Sequence, residues 1–284
     1  MTGSPPAFGA MLRLLLDRRE IGAQDLSDRA GVAADRVRAV LARETPGEDL
    51  LRRLAPVLGL RAVDLFVLAG LEVPEDLAPL DAEAAPCVSY IVRDGVHLPP
   101  AERTELLRIM RSLPEEKRPR PFAPQRFETF ADGPGGRVIR MLRYRNLSWG
   151  GLAHIAAIVT PTYLSAPTYG VIGEGRKELT PRLVTDFAAL LGIDAGELAA
   201  LSGVPLPEEP GPVAPEAVDA AALLWQARGL SSSQARDMAD LARSMRADSD
   251  NDPANLPGHS TSRAAEGISA RGLRSRSVAS GGGR

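Results

Sequence analysis

The side chains of this chain best suited to chemistry are hydroxyls and cations around one short stretch, residues 163–181. Pro167 suits the first turn of a helix, and Gly173 suits its end. The groups that could bind an anion are Ser165, which could also cap the helix, together with Thr168, Arg176 and Lys177. A short helix with an open first turn and a basic pair beyond its end favours DNA contact. An ordinary helix pair inside an all-helical protein is the alternative.

Catalytic chemistry has no support in the sequence. It contains no Walker-type glycine loop, no G-x-S-x-G motif and no cluster with metal-ligand spacing. Cys87 is the single cysteine, and the three histidines are scattered along the chain. We therefore expect a protein that is not an enzyme and that uses no cofactor or metal.

Composition predicts an all-α protein. Hydrophobic residues make up 44% of the 284 positions, but only 4% are aromatic, so the usual strand signature is weak. The formal net charge is −2, so any nucleic-acid footprint must be local. No apolar run approaches the roughly 18 residues of a membrane helix. We expect a cytoplasmic protein without a membrane partner.

Residues 21–40 have the spacing of two short helices joined by a tight turn. Ser27 is small where the helices must cross, and Gly31 can adopt the left-handed conformation that ends a helix. Val37 and Val40 would face inward. This pattern resembles the helix-turn-helix of lambda-repressor-like (XRE-family) transcriptional regulators, and the Arg- and Ala-rich composition suggests the actinobacterial type.

The resemblance implies a recognition helix at residues 33–41 that enters the major groove of double-stranded DNA. The positions similar to the family's base readers are Ala34, Asp35 and Ala39. Asp35 could accept a hydrogen bond from cytosine. The nearby cations that could reach phosphates or base edges are Arg36, Arg38 and Arg43, with solvated surface arginines as the alternative.

An internal repeat predicts the domain organisation. Residues 58–75 match residues 191–208 at a constant offset of 133. Each copy follows a Thr-Pro helix start, and Thr45 with Glu48 has the form of a capping box. We therefore expect two lambda-repressor-like five-helix domains, at 8–76 and 134–207. The second copy has six extra residues around 157–162, and its reader positions are apolar: Ala166, Pro167 and Val171.

The remaining segments are predicted as a helical linker, a helical pair and a tail. The linker spans 77–133, with a helix at about 99–113 and a weaker one near 82–92. Residues 114–134 are rich in Pro, Arg and Lys and are predicted to form a loop or strap. The pair spans 213–246, begins its second helix with the capping pattern of Ser231 and Gln234, and either packs on its own chain or forms a dimer interface. Residues 247–284 have little apolar content and are expected to be disordered.

Two functions remain open at this point. The first is a sequence-specific DNA-binding regulator of bacterial genes that acts as a homodimer on operators. The second is an interaction module that keeps the helix-turn-helix fold but binds a regulatory protein partner. The repeat and the two recognition-helix patterns favour the first, whereas the apolar reader positions and the balanced net charge motivate the second as the alternative.

Overall fold

The chain folds into helices over the residues that the computed structural model describes, which are 7–123, 128, 130–207 and 213–251. These residues form fourteen α-helices and two short 3-10 turns, and no strand occurs among them. The all-α prediction is therefore confirmed. No helix in these ranges has the length and apolar character needed to cross a bilayer.

The first five helices occupy the N-terminal quarter of the chain. They are α1 (Phe8–Arg18), α2 (Ala23–Ala30), α3 (Ala34–Leu41), α4 (Glu48–Val57) and α5 (Ala62–Ala69). Gly31 ends α2 with a φ of 63°, as the sequence predicts. The predicted capping box at Thr45 is wrong, because Gly47 occupies the N-cap of α4 and no side chain caps this helix.

Two helices follow in the segment predicted as a linker. They are α6 (Ala85–Gly95) and α7 (Pro100–Ser112). The helix expected at about 99–113 is confirmed, and the weaker one near 82–92 lies slightly later than its apolar pattern indicated. Residues 114–123 contain no helix, in agreement with the predicted strap.

Five more helices follow the strap. They are α8 (Pro134–Arg143), α9 (Trp149–Val159), α10 (Ala166–Gly173), α11 (Pro181–Leu191) and α12 (Ala195–Ser202). The six extra residues of the second repeat copy lengthen both its second helix and the turn that follows it. Helix α9 has 11 residues where α2 has 8, and the turn 160–165 is three residues longer than the turn 31–33.

The last two helices pack back on their own chain. They are α13 (Pro215–Ala227) and α14 (Ser232–Asn251), so the helical pair continues beyond residue 246. The predicted capping box is confirmed, because the backbone N–H of Gln234 donates to Ser231 Oγ and the backbone N–H of Ser231 donates to Gln234 Oε1. The apolar face of α14 is buried, and this helix packs against α6. The prediction of a disordered tail at 247–284 is wrong for residues 247–251, which continue α14, and the rest of that tail lies outside the described residues.

Helices from the two ends of the chain share one continuous apolar core. Helix α1 packs on α12, and α5 packs on α8. Arg145, two residues beyond the end of α8, donates two hydrogen bonds to Asp64 in α5, at 2.9 and 2.7 Å, and both side chains are almost fully buried. Arg19 in α1 makes a similar bidentate pair with Glu197 in α12, at 2.6 and 2.7 Å. These contacts hold α1–α5 directly against α8–α12.

Candidate nucleic-acid interface

The outer face of α3 carries three of the charged residues singled out in the sequence. Val37 and Val40 face the core, so the 3.6-residue period turns Asp35, Arg36 and Arg38 to solvent. The side chain of Asp35 is 92% exposed. The short helix therefore presents a row of polar groups to any ligand that approaches its free side.

The two arginines of α3 reach the first turns of its neighbours. Arg38 pairs with Asp35 at 2.5 Å and donates to Oε1 of Gln24, in the first turn of α2, at 3.3 Å. Arg36 lies 3.4 Å from Oδ2 of Asp49, in the first turn of α4. The starts of three helices therefore lie along one face. Exposed pairs of this kind contribute little energy, so phosphate oxygens can replace the carboxylates.

Hydrogen bonds from two arginines hold the carboxylate of Asp49 in its charged form. The bond from Arg53 is the larger cause of the lowered pKa of Asp49, and the bond from Arg36 adds to it. Because Arg53 remains beside Asp49, the carboxylate keeps a cationic partner if Arg36 turns toward another anion. Arg36 can therefore move to another anion without leaving the carboxylate of Asp49 unpaired.

The helix starts on this face have no side-chain caps. Their N-cap residues, Gly22, Ala33 and Gly47, offer no side-chain acceptor to the first-turn N–H groups. Open helix starts attract anions through these N–H groups and the helix dipole. Three helix starts of the later part of the chain are capped, by Ser148, Thr180 and Asp194.

Arg43 lies directly after α3 in a conformation that is unusual for arginine. Its φ is 81°, and the N–H groups of Arg43 and Glu44 donate to the carbonyls of Val40 and Ala39. This is the hydrogen-bond pattern of a helix end that normally carries glycine. The side chain is exposed and makes no ion pair with a described residue. Arg43 therefore presents a cation without a competing carboxylate.

The second predicted recognition stretch is poorer in available donors. Ser165 occupies the N-cap of α10, but its predicted capping bond is absent there, because Ser165 Oγ lies 2.9 Å from Thr168 Oγ1 instead. Pro167 has no backbone N–H to offer in the first turn. Two of the predicted anion-binding hydroxyls therefore pair with each other.

The basic pair after α10 is only half available. Arg176 forms an ion pair with Glu174, and its Nε donates to the same carboxylate at 2.5 Å. Lys177 is exposed and has no ion-pair partner among the residues described. This end of α10 therefore offers one unpaired cation.

A groove of about 360 Å³ lies along the exposed side of α10. Its apolar lining comes from Trp149, Ala166, Pro167, Gly170 and Val171, and its charged lining from Glu128, Glu174 and Arg176. Sequence reasoning missed this groove, although the small and apolar residues three and four apart on α10 were its available signal. Tyr163, which is 86% exposed, lies in the turn just before the helix.

Other kinds of site have no support in the described ranges. No group of three or more His, Cys, Asp or Glu residues there could hold a metal ion. No protein-family model matches the chain, and no curated protein or solved structure matches it. The candidate nucleic-acid interface is therefore the face formed by α3 with the starts of α2 and α4, which we call the α3 face.

Proposed function

We propose that this chain is a DNA-binding transcriptional regulator of the lambda-repressor-like (XRE) kind, acting in the bacterial cytoplasm without a catalytic step. One observation carries the proposal. The arginines of α3 lie at the uncapped starts of α2 and α4, so cations and backbone N–H groups converge on one exposed face. This combination suits the closely spaced phosphates that border a DNA groove.

In this proposal, α3 enters the major groove and its flanking groups hold the backbone. Arg36, Arg38 and Arg43 bind phosphates, and the N–H groups at the starts of α2 and α4 bind others. When Arg38 turns to a phosphate, the exposed carboxylate of Asp35 is released and can accept from cytosine N4. The few polar base readers make phosphate contacts and DNA shape the larger part of recognition.

Matching close approaches support two copies of one five-helix unit. A Cβ added to Gly9 in α1 would lie 2.0 Å from the carbonyl oxygen of Val40, at the end of α3. A Cβ added to Gly135 in α8 would lie 2.6 Å from the carbonyl oxygen of Ile172, near the end of α10. In both units the first helix thus needs glycine where it crosses the third. The spacing between partners differs by the six extra residues.

The second unit serves this proposal as a phosphate anchor. Lys177 supplies its unpaired cation, and Ser165, Thr168 and Arg176 can join by exchanging partners. Because Arg145 and Asp64 join the two units through buried groups, the separation of α3 and α10 is fixed by the protein. A homodimer on a palindromic operator remains part of the proposal.

A second candidate function is a protein-interaction module, and the groove on α10 favours it. A groove with a mainly apolar lining is typical of protein interaction sites, and the exposed aromatic side chain of Tyr163 lies in the turn before α10. In this alternative, α10 and Trp149 bind an apolar segment of a regulatory protein. The α3 face could still bind DNA in the same molecule.

The test is selection of duplex DNA from a random pool with the full chain, followed by fluorescence-anisotropy titrations at several salt concentrations. We expect an enriched site. The change R36E/R38E should weaken binding to all sequences and reduce the salt slope by about 2, because each phosphate contact contributes about 0.9. The matched change R176E/K177E tests in the same way whether the second unit contacts DNA.

Arg108 provides the control, because it is an exposed arginine on α7 paired with Glu105, much as Arg38 is paired with Asp35. The change R108E should leave DNA affinity unaltered. No enriched site, or equal affinity of R36E/R38E and the unmodified chain, would exclude the α3 face as a DNA interface. Chromatin immunoprecipitation in the native host then identifies the genes controlled.

A further inference from the structure

A second cavity, remote from the α3 face, lies where the end of α9 meets α11, α12 and the start of α13. Its volume is about 230 Å³, and its apolar lining includes Val159, Ala188, Ala189, Ile193 and Ala217. Since one water occupies about 30 Å³ of liquid, the cavity has room for a small organic molecule. No lysine or arginine contributes to its lining among the residues that the structure describes.

One buried carboxylate faces this apolar space. Asp186 in α11 is 4% exposed and lines the cavity. Thr162 donates a hydrogen bond to its Oδ2, whereas Oδ1 accepts none from any residue that the structure describes. This oxygen is accessible from the cavity, so an occupant that donates a hydrogen bond can bind it.

The charges around Asp186 are arranged for a cation. Burial raises the pKa of Asp186, while the Thr162 hydrogen bond and the nearby Arg182 act in the opposite direction. Arg182 donates to the carbonyl oxygen of Pro161 at 2.5 Å and is not part of the cavity lining. A second carboxylate, that of Asp194, also lines this cavity and lies 3.6 Å from Arg18.

We propose that this cavity binds a small organic ammonium ion. Its N–H groups donate to Oδ1 of Asp186, and its short aliphatic body replaces water against Val159, Ala188 and Ile193. A carboxylate-bearing ligand would meet two aspartates, and the nearby Arg18 and Arg182 are not part of the described lining. A neutral ligand of the same shape would fill the apolar part but leave the buried carboxylate without a counter-charge.

The occupant would also touch the segment that leads into α10. Thr160 and Pro161 line the cavity, and they begin the turn that holds this helix in place. Ala214, just before α13, lines the opposite side. The site therefore joins three parts of the chain that are distant in sequence.

The test is isothermal titration calorimetry of the full chain with n-butylammonium chloride, and with 1-butanol and sodium butyrate as neutral and anionic probes of similar shape. We expect saturable binding of n-butylammonium and at least tenfold weaker binding of the other two, because a charge-assisted hydrogen bond is lost. Equal binding of the three probes, or no saturable binding of n-butylammonium, would overturn the proposal.

Two variants separate charge from shape. The change D186N keeps an acceptor for Thr162 but removes the charge, so it should weaken n-butylammonium binding by about tenfold or more. The change A189M fills the cavity without altering charge and should also abolish binding. D237N, which alters an exposed carboxylate on α14, is the matched control and should bind like the unmodified chain. Unaltered binding by both D186N and A189M would contradict the assignment.

Discussion

In the proposed function, Arg43 combines a cost in stability with a contribution to DNA binding, and two substitutions can separate these two effects. At a φ of 81° a side chain costs roughly 1–2 kcal/mol. Glycine removes this strain, but its greater conformational freedom in the unfolded chain lowers stability by roughly 0.5–1 kcal/mol. R43G should therefore stabilise the chain by about 0.5–1 kcal/mol, and raise its Tm by about 1–4 °C. R43A keeps the strain and should change stability by less than about 0.5 kcal/mol.

Both substitutions remove the same cation, so they should have the same effect on DNA binding. Loss of one phosphate contact reduces the salt slope by about 0.9. Over a fourfold rise in salt, the unmodified chain should lose about 3.5-fold more affinity than either variant. The measurements are urea unfolding and anisotropy titrations with a random duplex, with R111A, an exposed arginine on α7, as the control.

Two results would refute this reasoning at separate points. If R43A gains as much stability as R43G, left-handed strain is not the cause. If the salt slope of R43G equals that of the unmodified chain, Arg43 does not bind phosphate. An unchanged slope for R111A is required before either result is interpreted.

Three further outcomes follow from groups away from the α3 face. R145M removes the cation that is hydrogen-bonded to the buried carboxylate of Asp64 and should cost about 3–5 kcal/mol in urea unfolding, while D64L/R145M should recover most of the loss. T180A should cost about 1 kcal/mol because Thr180 caps α11, whereas T45A should cost less than about 0.5 kcal/mol because Thr45 caps nothing. Burial raises the pKa of Asp186 above its usual 3.8, so its contribution to stability is complete below about pH 4 and is lost as the pH rises through the raised value. D186N should therefore become more stable relative to the unmodified chain between pH 4 and pH 7, and a constant difference across that range would contradict the assigned cause.

The spacing of apolar residues predicted the helices well, because each amphipathic stripe indicates which face of a helix packs on the core. It was less reliable at helix ends. Thr45 and Thr180 both precede a proline, but only Thr180 caps a helix, since α4 begins after Gly47. Ser165 occupies an N-cap position, yet its hydroxyl bonds to Thr168. Which acceptor a hydroxyl chooses depends on distances that residue types do not encode.

Contacts between distant segments were beyond the reach of sequence pattern. Arg145 and Asp64 are 81 residues apart, and nothing in their neighbourhoods marks them as a pair. The carboxylate of Asp49 beside Arg36 also becomes visible only once α3 and α4 are packed together, whereas Asp35 and Arg38 are three residues apart on one helix. The candidate DNA residues could thus be located from sequence, whereas their availability for binding could not.

The packing of α14 on α6 has a consequence for synthesis of the chain. The inner face of α6 includes Val88, Ile91 and Val92, and α13 also packs on this helix. At 5–20 residues per second, roughly 8–30 s pass between translation of Gly95 and of Asn251. During this interval the nascent chain carries an uncovered apolar helix face, so chaperones that bind such faces should associate with it until the last helix emerges.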